Sequence, residues 1–225
     1  MKEAIWNRVG PVMGALFFCL VFTGLFVHGY PDVRPTDAQL AQWLASVDMN
    51  KFSVGIYMEE LGIALFIPFA AWLYGHLKQG RPGASWPAIV MLASAAAWAI
   101  LALPINELYL AIVQQAPKGL DIRVAQTVVS INQAWFDMTS ILFGLTLVAA
   151  GVSILRGGVM SRWAGWAAIA IGLALFLPTG PEFQLVPYVG ILAVAVYYTI
   201  RPARAREQFA SQALPSVSTP VPATR

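Results

Sequence analysis

Cysteine is almost missing from this chain, with Cys19 alone among 225 residues. That excludes an internal disulfide, a Cys-x-x-Cys redox pair and any multi-cysteine metal site. Histidine is nearly as scarce: there are two, His28 and His76. They fall near opposite ends of the spans described below, so one haem cannot bridge them, and both read as interfacial side chains whose polar tips reach water. Charge is sparse as well, at 11% Asp, Glu, Lys and Arg, against about 25% in soluble domains. With 58% hydrophobic residues and a mean hydropathy of +0.66, the composition is that of a membrane protein. The net charge of +3 includes no basic cluster interleaved with aromatics, so nucleic acid is not an expected partner. No His-Glu-x-x-His, Gly-x-Ser-x-Gly, Walker or Gly-x-Gly-x-x-Gly pattern occurs. A serine nucleophile would have no membrane-embedded histidine base, which disfavours an enzyme, and no cofactor or metal is expected.

What is present is a series of apolar runs separated by short connections. They predict an all-α, polytopic bundle of six transmembrane helices over about 11–28, 53–77, 86–104, 125–153, 163–178 and 185–200. The first run lacks an Ala-x-Ala-like cleavage site after it and is read as a retained span rather than a signal peptide. Between the first two runs, PTDAQLAQWLASV predicts a short amphipathic surface helix in the first outer loop. Thr36 and Gln39 suit a capping box, and Leu40, Trp43 and Leu44 share one face. Residues 1–206 form the bundle domain, whereas 207–225, rich in Ala, Ser, Thr and Pro, predict a disordered cytoplasmic tail.

Alternating the connections puts ten of the 14 Lys and Arg residues on one side and four on the other. The positive-inside rule then places both termini in the cytoplasm, in agreement with an even number of spans. Pro68 and Pro104 interrupt the second and third spans, each removing a backbone donor. Beyond Pro104, INELYL either extends the third helix or lies on the outer surface. In the fifth span, Gly165, Ala168 and Gly172 make a small-residue packing face.

The most distinctive stretch runs from Asp121 to Leu155. Gln126, Ser130, Gln133, Asp137, Ser140 and Gly144 recur there at steps of three and four, which places them on one helical face. A carboxyl in a span costs roughly 2.5 to 3.5 kcal/mol on insertion scales, so this seam is expected to face the bundle interior. At 1.5 Å per residue, Glu60 lies about 10 Å below the outer surface, Gln133 about 8 Å and Asp137 about 13 Å. With Glu59, Asn106 and Glu107, and with Glu182 above them, they suggest an acidic, outward-opening pocket between the second and fourth spans. Its chemistry suits a proton, a small cation or an amine-bearing solute. Hydrogen bonds that merely fix helix packing would use the same residues.

LGIALFIPFAAWLYGHL and SRWAGWAAIAIGLALFLPTG resemble segments of a group of uncharacterised bacterial six-span membrane proteins. The shared features are Pro68 and Phe69 in the second span, Arg162, Trp163, Gly165 and Trp166 opening the fifth, and Pro178 to Gly180 closing it, with Thr179 interrupting the last motif. The resemblance implies the fold and a bacterial inner membrane, and it carries over no activity. Two functions follow from the residues. One is a small cation- or proton-linked permease using Asp137 with Glu59 or Glu60. The alternative is an accessory subunit that binds a protein partner, or a second copy, through its small-residue faces.

Overall fold

The computed structural model describes residues 2–32, 34–80, 85–158, 160–177 and 186–200. The expected tail (207–225), Glu182 and the motif at 178–180 lie outside them. Every regular element described is helical: α1 (Lys2–His28), α2 (Asp37–Ser46), α3 (Met49–Leu77), α4 (Ser85–Gln115), a 3-10 turn at Ala116–Lys118, α5 (Ile122–Gly157), α6 (Arg162–Ala174) and α7 (Val186–Ile200). The starts follow from local chemistry. Asp48 accepts from the backbone N–H groups of Asn50 and Lys51, Asp121 from that of Arg123, and Ser161 from that of Ala164. Each supplies a partner to N–H groups that the first helical turn leaves without one. In α2 the expected capping box forms: Thr36 accepts from Gln39 N, and the Gln39 side chain accepts from Thr36 N at 2.8 Å. The stops use left-handed glycines, Gly29 at φ +60° after α1 and Gly158 at φ +67° after α5.

Among the described residues, four helices are long and apolar enough to cross a membrane: Ile5–His28, Met49–Leu77, Ser85–Lys118 and Ile122–Gly157. The 13 described residues of α6 and 15 of α7 are shorter. Of the two courses open to INELYL beyond the 86–104 run, the chain takes the helical one, and α4 continues past Pro104 to Gln115. Its 31 residues and the 36 of α5 extend about 46 and 54 Å, well beyond a hydrocarbon core of about 30 Å.

Around the bundle, α7 packs on α1, α1 on α3, α3 on α4, α4 on α5 and α5 on α6, while α6 and α7 barely touch. The middle is aromatic: Phe17, Phe66, Phe69, Trp98 and Phe143 stack at centroid separations of 4.6 to 6.1 Å. A second core fills the end where α2 lies, with Leu40, Phe52, Ile56, Tyr109, Leu110 and Val129 buried together.

Two side chains of α5 brace α4 on either side of Pro104. Trp135 Nε1 donates to the Leu101 carbonyl at 2.8 Å and Asn132 Nδ2 to the Ile105 carbonyl at 2.9 Å. Proline has no N–H for the carbonyl one turn before it, so this is where α4 has least support of its own. Trp135→Phe keeps the ring and loses the bond. Its expected cost is about 1 kcal/mol, or roughly 2 to 4 °C in a chain of this size, read by thermal unfolding in detergent. An unchanged midpoint would show that the brace contributes nothing.

Candidate functional site

The polar residues converge at the α2 end, with the anticipated Glu59 and Asn106 of α3 and α4 joined by α1 and its exit in place of α5. Glu59 projects from α3 and is 9% exposed. Its Oε2 lies 3.0 Å from His28 Nε2, at the last turn of α1, and 2.9 Å from the Tyr30 hydroxyl two residues further on. The same hydroxyl is 2.8 Å from Oδ1 of Asn106 on α4. Asn106 is 2% exposed and the His28 side chain 0%. These four side chains form one buried network joining α1, the α1–α2 connection, α3 and α4.

Local packing explains why they meet. Gly24 of α1 and Gly55 of α3 face each other so closely that a Cβ on Gly24 would stand 2.6 Å from the Gly55 carbonyl oxygen. A Cβ on Gly55 would strike the His28 ring at 2.7 Å. The missing side chains let His28 lie flat over α3 and reach Glu59. Aromatic rings cover the site: His28 against Phe52 at 5.2 Å, Tyr30 against Tyr109 at 4.9 Å, and Trp43 of α2 against both Phe52 and Tyr109.

Counting hydrogens shows what the network can do. His28 Nδ1 lies 3.2 Å from the Gly29 carbonyl, which can only accept, so Nδ1 carries a hydrogen. The Nε2 contact to Glu59 then needs one further proton, held as an imidazolium facing a carboxylate or as a carboxylic acid facing a neutral ring. Tyr30 has one phenolic proton and two acceptors. It donates to Glu59 when that carboxyl is ionised, and to Asn106 when Glu59 is protonated. Burial, with the Glu59 carboxylate beside it, holds the Tyr30 hydroxyl well above its ordinary pKa, so it remains a donor.

Glu60 and Glu107 continue the series outward. Glu60 feels the charges of both Glu107 and its neighbour Glu59. Glu107 is exposed, Glu60 half-buried and Glu59 buried. Burial thus increases from Glu107 through Glu60 to Glu59, the carboxyl that meets His28.

The remaining two candidates are elsewhere, and the inward seam expected on α5 is corrected. Asp137 is exposed, and its recorded bond is to Gln133 on its own helix, from Nε2 to Oδ1 at 3.2 Å. Ser130 is exposed too and bonds its own backbone at Gln126. The cause lies in α6. Gly144 packs against Gly172, and Gly151 against Gly165, so this face of α5 is covered in its second half. Asp137 lies two helical turns before Gly144, whose partner Gly172 stands within one turn of the end of α6 at Ala174. Where α3 and α5 meet directly, the contact is aromatic, Phe66 against Phe143 at 5.7 Å, and Asp137 takes no part in it.

Sequence reasoning missed His28, Tyr30 and Asn132. His28 ends the first apolar run and reads as an interfacial side chain, and Tyr30 follows two residues later. Asn132 is 1% exposed and belongs to another row, Asn132, Thr139, Thr146 and Ser153, spaced seven apart and buried throughout. Thr146 of this row bonds Ser94 of α4 at 2.9 Å. That row was legible as a heptad of small polar residues, and the lone carboxylate of the neighbouring row outweighed it.

A family model described as a domain of unknown function (DUF4386) matches residues 12–202. The chain belongs to the DUF4386 family. No curated protein and no solved structure matches it. Within this DUF4386 chain, the matched stretch contains the whole His28, Tyr30, Glu59 and Asn106 network, Glu60 and Glu107, and all of α2.

Proposed function

We propose that this is a six-span protein of a bacterial cytoplasmic membrane, with both termini in the cytoplasm, and that it exchanges protons at its outer end as a small proton-linked permease. The basic residues support the orientation, since they concentrate at the end opposite α2. The α2 end, with its network, then faces outward, and α2 lies at the outer surface of the membrane. The carrying observation is the buried His28–Glu59 pair at 3.0 Å, with half-buried Glu60 and exposed Glu107 as further carboxyls on α3 and α4. Ionisable groups inside spans mark proton or ion routes. Glu59 Oε2 is already engaged by the His28 ring and the Tyr30 hydroxyl, an arrangement that suits a proton better than a metal cation or an amine. The accessory-subunit reading needs free small-residue faces. The glycines of α6 are already engaged against α5, which favours the permease.

The test is proton flux into proteoliposomes under an imposed potassium-diffusion potential, alone and with a panel of small amine-bearing solutes. Wild type should acidify the lumen faster than empty vesicles, Glu59→Gln should remove the difference, and Asp137→Asn should leave it in place. Flux equal to that of empty vesicles under every condition would end the proposal.

A further inference from the structure

We infer that α2 is a lid that controls access to the His28–Glu59 pair, an inference that rests on reading that pair as the proton site and adds its regulation. The His28 side chain is wholly enclosed, and part of the cover is Trp43 of α2, stacked edge-on over Phe52 and Tyr109 at 5.8 and 6.4 Å. The attachment of α2 is slight for an element that closes a buried site. Its backbone approaches α5, Leu40 inserts as its one fully buried side chain with Trp43 and Leu44 half-buried beside it, and Gln126 Nε2 of α5 donates to the Pro35 carbonyl just before the helix.

The chain leading into α2 is itself part of the site. Tyr30 lies between His28 and α2, and its hydroxyl reaches both Glu59 and Asn106. Gly29 and Arg34 on either side take left-handed backbone conformations, at φ +60° and 56°, where rotation redirects the chain sharply. Arg34 adopts a conformation that residues with a side chain disfavour. Lifting α2 would therefore withdraw the Trp43 cover and pull the Tyr30 hydroxyl from Glu59 in one movement. Docked, α2 shields the pair and completes its hydrogen bonds; undocked, it opens the pair to water with one donor fewer. Small docked elements of this kind open with free energies well below that of global unfolding.

The experiment reads His28 directly, by the rate of its carbethoxylation with diethyl pyrocarbonate in the full-length protein, resolved from His76 by peptide mapping. In a Cys19→Ser background, Pro35→Cys with Gln126→Cys is bridged by a short bifunctional thiol reagent, with the same protein capped by a monofunctional reagent as control. Bridging should slow His28 labelling about tenfold, and Trp43→Ala should speed it about tenfold, the shift expected when an opening equilibrium changes by a single such contact. His76 labelling should not change in either case. Equal His28 rates in bridged and capped protein would overturn the lid, even if Trp43→Ala failed to fold. Labelling that responds as expected in protein without proton flux would uphold the lid and reject the permease.

Discussion

Glu59→Ala is expected to destabilise the folded bundle by about 3 to 5 kcal/mol, the range for removing one member of a buried ion pair. The loss exceeds that of two hydrogen bonds because of what remains. His28 keeps its contact to Gly29 but loses its partner at Nε2 in a site with no exposed side-chain surface. Tyr30 is left with Asn106 alone. An unpaired polar group in such a place pays its full desolvation cost. Glu59→Gln retains the volume and two of the contacts, so its cost should be about a third of that, near 1 kcal/mol. Thermal unfolding in detergent separates the two. If Glu59→Ala and Glu59→Gln unfold at the same temperature as wild type, the network holds nothing together.

Gly151→Leu should prevent α6 from docking and reduce the yield of monodisperse protein to a small fraction of wild type. A Cβ on Gly151 would lie 2.5 Å from the Gly165 carbonyl oxygen, and one on Gly172 would lie 2.6 Å from that of Gly144. Both obstacles are backbone atoms, which cannot rotate aside as a side chain does. Even Gly151→Ala should cost about 1 to 3 kcal/mol through overpacking, whereas Leu adds three further carbons to the same gap. The control is Gly75→Ala, where an added Cβ meets nothing within 4 Å. That change should be neutral or slightly stabilising, by up to about 1 kcal/mol, since alanine favours a helix. Size-exclusion profiles of the three variants decide it. A monodisperse Gly151→Leu protein with wild-type thermal stability would mean that α5 and α6 do not depend on this contact.

How far the chain explains itself depends on the distance between the residues concerned. Apolar run lengths, the capping box of Thr36 and Gln39, the N-terminal acids at Asp48 and Asp121 and the glycine face of α6 act over one or two helical turns, and all are readable from sequence alone. Membership of the candidate site was readable in part: Glu59, Glu60, Asn106 and Glu107 do assemble. Asp137 and Gln133 do not join them, and His28 and Tyr30 take the places assigned to those two. Helical periodicity states which residues of α5 share a face, and it separates the row of Asp137 from the row of Asn132. It says nothing about which row a neighbour covers. That was decided by the tertiary structure, because it depends on α6 packing through Gly165 and Gly172 against one half of that face, and on the close approach at Gly24 and Gly55 that turns His28 inward. Each is a contact between segments distant along the chain, where burial is shared between helices and no single helix carries the pattern.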